Sequence, residues 1–439
     1  MSLREPSAHA DSWYARSAGP GEAHPPLQGR ETADVVVLGA GLTGLSTALE
    51  LAQAGLKVIV LEAREVGWGA SGRNGGQVIF GYGCDTAKIA AMVGQAAARA
   101  MFDWSVEGVD LVKRRIAEHG IDAHWRDGHA HVAIKPRHVD DLRAWQDDLQ
   151  ANYDYPVDWW DADSLRAVLP SPRYLGALYD RRSGHLHPLN YTLGLARAAE
   201  AAGVLIHEGS EVTALRRGRR PALVTANGTV EADFIVLAGN ALAHRIAPEL
   251  DDKIMPVGTY VGATEPLGEA RARDLIRNGM AVADINWALD YFRLSADHRL
   301  LFGGRASYST LPPPNLPGVM TRRMTRVFPQ LKGVKFGPIY NGVSLNDPRM
   351  EPIYRYLVKH VLPLTMHMGT TFAANSIAEY GRAIYVDDVA RRHPDLKMVM
   401  AHMGHPWFEE CIIVARKQPN VFCEVSALFY RPWQFWNIL

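Results

Sequence analysis

Three glycines near the start of the chain have the spacing of a phosphate-binding turn. Gly39, Gly41 and Gly44 form a G-x-G-x-x-G pattern that directly follows a β-branched run, residues 33–38, and directly precedes a helical pattern, residues 42–54. The first glycine permits a tight turn, the second lets the backbone approach a pyrophosphate, and the third lets helix and strand pack closely. Free N–H groups at the helix N-terminus attract the anion. The pattern predicts a dinucleotide-binding site.

An acidic residue follows this motif at the distance that a ribose contact requires. Glu62 ends a second apolar run, residues 57–62, about 20 residues after the glycines. A carboxylate there accepts hydrogen bonds from ribose hydroxyls and disfavours a 2′-phosphate. The alternative is a glycine-rich turn followed by an incidental acid. Strand, helix, acid and spacing together favour the nucleotide site.

A second glycine-rich segment bears on which dinucleotide is bound, since the first motif does not separate FAD from NAD. Residues 67–77, with the sequence Gly-Trp-Gly-Ala-Ser-Gly-Arg-Asn-Gly-Gly-Gln, contain five glycines in eleven positions. Such density indicates a backbone that another body approaches closely. A flat isoalloxazine ring fits this description, and a flexible loop is the alternative that remains.

The composition excludes several other functions. The 439 residues carry 47 Lys and Arg against 47 Asp and Glu, so no net charge attracts nucleic acid or an anionic membrane. Cys84, Cys411 and Cys423 have no metal or redox spacing, which suits a reducing compartment. No stretch has the roughly 18 apolar residues of a spanning helix, and the N-terminus does not have the pattern of a leader. We expect a cytoplasmic protein that binds neither membrane nor nucleic acid.

These motifs, with further residues, resemble the FAD-dependent amine and amino acid oxidases of the D-amino acid oxidase superfamily, γ-glutamylputrescine oxidase-like branch. The similarity continues through residues 183–191, 263–267, 291–293 and 301–305, and it spans about 10–333. It implies an FAD enzyme that oxidises the C–N bond of a small-molecule amine or amino acid, passing hydride to the flavin. The residues that it places at the cofactor are Gly39, Ala40, Gly41, Leu42, Thr43, Gly44, Glu62, Ala63, Arg64, Ala70, Ser71, Arg73, Asn74, Gly75, Gly76, Gln77, Val212, Ala238, Gly239 and Asn240.

Substrate-side candidates lie on a later strand pattern and before a helix. Tyr291 and Arg293 alternate on one face of a predicted strand, and an arginine fork suits a substrate carboxylate. His185 and His187 beside Pro188 are further candidates. An arginine on a strand edge is more often solvated or structurally paired, and a histidine at a helix start often caps the helix. No general base stands out in the sequence.

The last hundred residues resemble a different family, the amidohydrolases, in the group of aminocarboxymuconate semialdehyde decarboxylase. The similarity lies in residues 364–369, 386–407 and 419–426. It implies strand–helix repetition of the barrel kind, with His367 and His402 at strand ends as ligands of a divalent metal. Two histidines do not supply the three or four protein ligands of a catalytic metal. We therefore expect an incomplete metal site.

Together these features predict an α/β protein with a Rossmann-like FAD-binding domain, an inserted α+β substrate domain and a partial (β/α) barrel-like segment. The predicted organisation is an N-terminal arm (1–32), an FAD-binding domain (33–85 and 180–250), a substrate or cap domain (86–179 and 251–333) and an amidohydrolase-like segment (335–439).

The two resemblances meet near Gly333, and each is incomplete. We expect an oxidoreductase impaired by loss of the family's C-terminal flavin-closing segment. The alternatives are a metal-dependent hydrolase or decarboxylase type of protein and a chimera without activity, including a module that holds FAD only structurally. Unpaired strand edges predict exposed apolar patches.

Overall fold

The computed structural model describes residues 8–308, 315–331, 334–359, 361–369 and 374–424. The chain divides into two compact units between Arg323 and Met324. The boundary that we predicted lies near 333–335. The expected break at residues 311–314, and Gly333 itself, fall outside the described residues.

The helices and strands are as follows. The α-helices are α1 (Trp13–Ser17), α2 (Leu42–Gln53), α3 (Thr86–Val93), α4 (Gln95–Glu118), α5 (Pro136–Tyr153), α6 (Ala162–Val168), α7 (Pro188–Ala201), α8 (Glu269–Leu275), α9 (Leu316–Val327), α10 (Pro338–Asn341), α11 (Glu351–Lys359), α12 (Ile384–Arg392) and α13 (Phe408–Lys417). The strands are β1 (Gly29–Leu38), β2 (Val58–Leu61), β3 (Gln77–Val78), β4 (Arg126–Ala133), β5 (Asp158–Asp161), β6 (Gly176–His185), β7 (Leu205–His207), β8 (Val212–Arg216), β9 (Ala222–Thr225), β10 (Gly228–Leu237), β11 (Gly258–Ala263), β12 (Ala281–Asp284), β13 (Tyr291–Leu294), β14 (Leu300–Ser307), β15 (Val334–Phe336), β16 (Leu364–His367), β17 (Met398–Ala401) and β18 (Val421–Glu424).

The first sheet has the strand order β7-β2-β1-β10-β9-β8. Its four strands β7, β2, β1 and β10 run parallel, as the βαβ pattern predicts. β1 is apolar on both faces: Val35 and Val37 contact the core beneath α2 and α7, and Val36 faces the opposite core. Two covered faces explain why its sequence is continuously apolar rather than alternating.

Strand β1 begins earlier than we predicted. We assigned residues 29–32 to the arm, but they pair in parallel register with residues 228–231 of β10. Their side chains are mostly exposed, so apolar periodicity gave no signal there. The start of β1 at Gly29 is therefore determined by its pairing with β10, a strand that is distant in sequence.

The second sheet has the order β11-β14-β13-β12-β4-β6-β3, and β5 also pairs with β6. The predicted hairpin at residues 296–298 joins β13 and β14, which are antiparallel. The interrupted helix that we expected is α3 and α4, and they meet at Gly94, whose φ is +83°. Strand β6, which we did not predict, runs across the expected domain boundary at 179/180 and belongs to this sheet.

The second unit contains the parallel sheet β15-β16-β17-β18, in sequential order. Helices α11, α12 and α13 alternate with the last three strands. Met366, Met398 and Met400 lie in its core. This is the strand–helix repetition that we predicted. In the described part of the whole chain, no helix is both long and apolar enough to cross a membrane.

Candidate functional site

The turn between β1 and α2 has the close backbone contacts that its glycines imply. Gly39 has φ +99°, and a Cβ there would lie 2.8 Å from the Ala238 oxygen. A Cβ on Gly44 would lie 1.9 Å from the Gly39 oxygen. Since both obstacles are backbone atoms, they cannot rotate away. Glycine is therefore required at positions 39 and 44 by contacts inside the protein.

At the N-terminus of α2 one N–H group is bonded to a serine, and the cap residue makes no side-chain hydrogen bond. Gly41 caps the helix without a side-chain hydrogen bond, and Ala40 precedes it. The Leu42 N–H donates to Ser71 Oγ over 2.9 Å, and Thr43 follows in the first turn. A Cβ on Gly41 would lie 2.7 Å from the same Ser71 oxygen. The remaining N–H groups of this first turn suit a phosphate.

Glu62 connects the end of β2 to the glycine turn. Its Oε2 accepts from the Ala40 N–H at 2.8 Å and its Oε1 from the Arg64 N–H at 3.0 Å. Burial raises the pKa of this carboxyl, the N–H groups of Ala40, Arg64 and Ala63 oppose the shift, and Glu208 adds to it. Because a carboxylate oxygen can accept more than one hydrogen bond, both oxygens of Glu62 can still accept from ribose hydroxyls.

The second glycine-rich segment contains a 3-10 turn, Ala70–Gly72. Asn74 Nδ2 donates to the Ala70 and Ser71 carbonyls at 3.0 Å each, and its Oδ1 accepts from the Gly76 N–H at 2.8 Å. The Arg73 guanidinium lies over the Trp68 indole at 4.6 Å, and its Nη2 is buried without a hydrogen-bond partner among the described residues. A buried donor of this kind is a point where an anionic ligand would fit.

Tyr291 and Arg293 pack directly against the end of this segment. A Cβ on Gly75 would lie 2.5 Å from Tyr291 Cε2, and one on Gly76 would lie 2.7 Å from Arg293 Nη2. Arg293 is 3% exposed, and its Nε donates to the Gly75 oxygen over 2.7 Å. Burial raises the pKa of Tyr291 to about 12. Both residues thus contact the predicted flavin segment.

His187 caps a helix, as a histidine before Pro188 often does. Its Nδ1 accepts from the Asn190 N–H at 3.1 Å, so Nε2 carries the proton and donates to Ser17 Oγ over 3.0 Å. Burial, with a contribution from the Arg293 charge, lowers the pKa of His187 to about 4. His185 donates from Nε2 to the Gly279 oxygen at 2.9 Å, and burial lowers its pKa to about 3.

A cleft of about 350 Å³ starts at the first residue of α2 and follows the second glycine-rich segment. Leu42, Asn74, Gly76 and Gln77 line one part of it, and residues of β3, α4 and α7 line much of the rest. Gln77 is held by its Nε2, which donates to the Val282 oxygen over 3.1 Å. The structure thus places Leu42, inside the first glycine motif, in the same cleft as residues of the second glycine-rich segment.

The remaining cofactor candidates lie around the first sheet. Ala238 and Gly239 follow β10 and contact Gly39, and Asn240 starts the next turn with φ +51°. Val212 starts β8, two residues after Ser210. The Ser210 N–H donates to the main-chain carbonyl oxygen of Glu62 over 2.8 Å.

Sequence reasoning missed Tyr14 as a site residue. Its hydroxyl accepts from Arg293 Nη2 at 3.0 Å, and its ring lies 5.1 Å from that of His187. The pair Trp13-Tyr14 inside an arm rich in proline and glycine was the available signal, since aromatic residues there must bury against something.

The predicted metal residues lie in the second unit. His367 and His402 follow adjacent parallel strands, and their rings are 4.7 Å apart in an edge contact. Tyr340 Oη lies 3.5 Å from His367 Nε2. Over the described ranges, no group of three or more His, Cys, Asp or Glu side chains is placed to hold a metal ion. The pair alone does not make a catalytic metal site.

Comparison with known families identifies the class of protein. Residues 34–377 match the model of the DAO family, FAD dependent oxidoreductase, so the chain belongs to this family. The match continues past residue 333, where we ended the resemblance, which corrects that limit. The FAD-dependent oxidoreductase and the cofactor FAD that we predicted are confirmed.

Individual relatives agree with this assignment. The probable oxidoreductase OrdL of Haemophilus influenzae is 42% identical over 342 residues, which cover 75% of this chain and 78% of that protein. The gamma-glutamylputrescine oxidoreductase of Escherichia coli is 39% identical over 377 residues, which cover 84% of this chain and 88% of that protein.

Solved structures confirm the α/β flavoprotein architecture. Glycine oxidase from Geobacillus kaustophilus has a TM-score of 0.55 at 22% identity, covering 68% of this chain and 79% of that one. L-proline dehydrogenase from P.horikoshii gives 0.54 at 19% identity, with coverages of 69% and 78%. At these identities the likeness shows the fold.

Proposed function

We propose that this protein oxidises the C–N bond of a small amine or amino acid, with FAD bound along the cleft. The observation that carries the proposal is the cleft itself, which joins the N-terminus of α2 to Gly76 and Gln77. When bound, FAD accepts the hydride from the carbon that bears the nitrogen. The Escherichia coli relative is a gamma-glutamylputrescine oxidoreductase, which supports an amine substrate.

The protein residues divide into groups that would hold successive parts of the cofactor. The first turn of α2 would face the pyrophosphate, because its N–H groups and helix dipole favour negative charge. Glu62 would accept from ribose hydroxyls. The segment 73–77 would lie beside the isoalloxazine, where the unpartnered Arg73 Nη2 offers a further donor.

Arg293 and the residues around it would bind the substrate. Three of the five guanidinium N–H groups are used by the Gly75 oxygen, the Leu294 oxygen and the Tyr14 hydroxyl. The other two would bind a substrate carboxylate. Tyr291 and His187 stay electrically neutral at neutral pH, since their pKa values are about 12 and about 4. Neutral Tyr291 and His187 beside the cationic Arg293 offer no negative charge to an ammonium, which favours the unprotonated amine, the form that loses hydride.

The test is a visible absorbance spectrum of the purified protein, taken before and after anaerobic addition of a panel of amines and amino acids. We expect flavin bands that one class of substrate bleaches. Flavin bands that no amine or amino acid bleaches would overturn the proposed reaction, and would support the prediction that this chain is impaired. Absence of flavin bands after FAD addition would overturn the cofactor site.

A further inference from the structure

Arg293 is a buried cation whose described partners are all uncharged. Nε donates to the Gly75 oxygen at 2.7 Å, Nη1 to the Leu294 oxygen at 3.4 Å and Nη2 to the Tyr14 hydroxyl at 3.0 Å. Among the described residues, its hydrogen-bond partners are these three uncharged oxygens, and no ion pair with a carboxylate is found. Burial of a charge is costly without strong hydrogen bonds. Each of these neutral acceptors therefore helps to hold the guanidinium in its position.

Tyr14 is the one of these three partners that comes from a side chain. It is 5% exposed and lies on α1. Its hydroxyl accepts from Arg293, and burial raises its pKa, so it stays a neutral phenol. A phenol both accepts and donates, which lets it serve a guanidinium without adding charge.

Helix α1 is fastened on both sides of this contact. Ser17 Oγ accepts from His187 Nε2 at 3.0 Å, and Trp13 Nε1 donates to Asp297 Oδ2 over 3.1 Å. The Tyr14 side chain also packs with Leu189 and Leu301. These contacts reach the start of α7 and the β13–β14 turn. The phenol oxygen is thereby fixed relative to the strand that carries Arg293.

We propose that Tyr14 is a positioning residue: through Arg293 it fixes the Gly75 carbonyl and the adjoining Gly76 backbone at the flavin-binding segment. The proposal rests on the function proposed above. The chain of contacts is Tyr14 hydroxyl, Arg293 guanidinium and Gly75 oxygen, with Arg293 Nη2 directly against Gly76. The arm of the protein, distant in sequence from the strand, thus completes the wall of the cofactor site.

Tyr14→Phe separates this role from packing, because it keeps the ring and removes only the hydroxyl. The matched control is Tyr174→Phe, another fully buried tyrosine, whose hydroxyl has no hydrogen-bond partner among the described residues. The first measurement is hydrogen exchange of the FAD-free protein at Gly75 and Gly76. We expect exchange to become roughly tenfold faster in Tyr14→Phe and unchanged in Tyr174→Phe.

The second measurement is the dissociation constant for FAD, followed by flavin fluorescence. We expect a roughly tenfold rise for Tyr14→Phe. Arg293→Lys keeps the charge but loses the fork, and combining it with Tyr14→Phe should add no further loss, since both act through one contact. Additive losses, or exchange and affinity unchanged in Tyr14→Phe, would overturn the proposal. The exchange result needs no turnover, so failure of the proposed oxidation leaves this test intact.

Discussion

Gly44 lies where a single added side-chain atom would disturb the predicted cofactor site. Its position in the first turn of α2 puts any Cβ 1.9 Å from the Gly39 oxygen, well inside contact distance. The Gly39 carbonyl belongs to the turn that would face the pyrophosphate. A shift that relieves the overlap must therefore move the helix or the turn.

Gly44→Ala should abolish measurable FAD binding and lower the free energy of unfolding by about 1–3 kcal/mol, as overpacking of a close contact does. Urea denaturation and FAD titration measure the two effects. Gly83→Ala, where a Cβ would meet nothing within 4 Å, should change neither. Full FAD affinity in Gly44→Ala would show that the turn tolerates a side chain.

At the scale of elements, the two glycine-rich segments support each other. The 3-10 turn Ala70–Gly72 brings Ser71 to the open end of α2, where its Oγ accepts from the Leu42 N–H. This is helix capping by a residue 29 positions away in sequence. The helix N-terminus and the second glycine-rich segment are therefore joined by a direct hydrogen bond.

Ser71→Ala should remove this cap, with a loss of about 1 kcal/mol in stability, the usual value for a lost capping oxygen. It should also weaken FAD binding, because the helix end would lose its fixed position beside the cleft. Thr225→Ala is the control, since Thr225 Oγ1 accepts from the Asn227 and Gly228 N–H groups in a hairpin. We expect the two variants to lose similar stability, but only Ser71→Ala to bind FAD more weakly. The same FAD affinity in both variants would contradict the prediction.

At the scale of the whole molecule, four histidines among the described residues link stability to pH: His129, His131, His185 and His187. His129, His185 and His187 are each 3% exposed or less. Burial is the largest cause that lowers the pKa values of all four, to about 3 for His185 and about 4 for His131 and His187. The unfolded chain binds protons to them near pH 6.5, while the folded chain does not. Their contribution to stability is thus present above that pH and is lost as pH falls.

The free energy of unfolding should fall between about pH 6.5 and 5, by on the order of 1 kcal/mol per histidine for each pH unit. Glu62 and Asp284, whose pKa values burial raises, bind protons in the folded chain at a higher pH than in the unfolded chain, so they oppose this loss and make the slope smaller. Urea midpoints across this range measure the slope. His187→Asn retains a helix-capping side chain. It should reduce the slope of the unfolding free energy against pH by the contribution of one histidine. A flat profile would contradict the prediction.

The sequence determined those features that depend on neighbouring residues. The spacing of Gly39, Gly41 and Gly44, and the acid at Glu62, follow from local steric and electrostatic demands, so the βαβ unit and a dinucleotide site were predictable. The choice of FAD rested on the second glycine-rich segment and on the family resemblance. One interruption in the helix over residues 86–119, though not its place at Gly94, and the strand–helix alternation of the second unit were predictable for the same reason. The capping role of His187 was also predictable, because this residue directly precedes the proline that begins α7.

The tertiary structure alone decided what joins distant residues. The contact of Tyr14 with Arg293 spans 279 positions, and the contact of Arg293 with Gly75 spans 218. The polar start of β1 exists because β10 pairs with it. Spacing along a chain does not specify which distant surfaces meet, because strand pairing and side-chain packing are settled only when the elements assemble around a shared core.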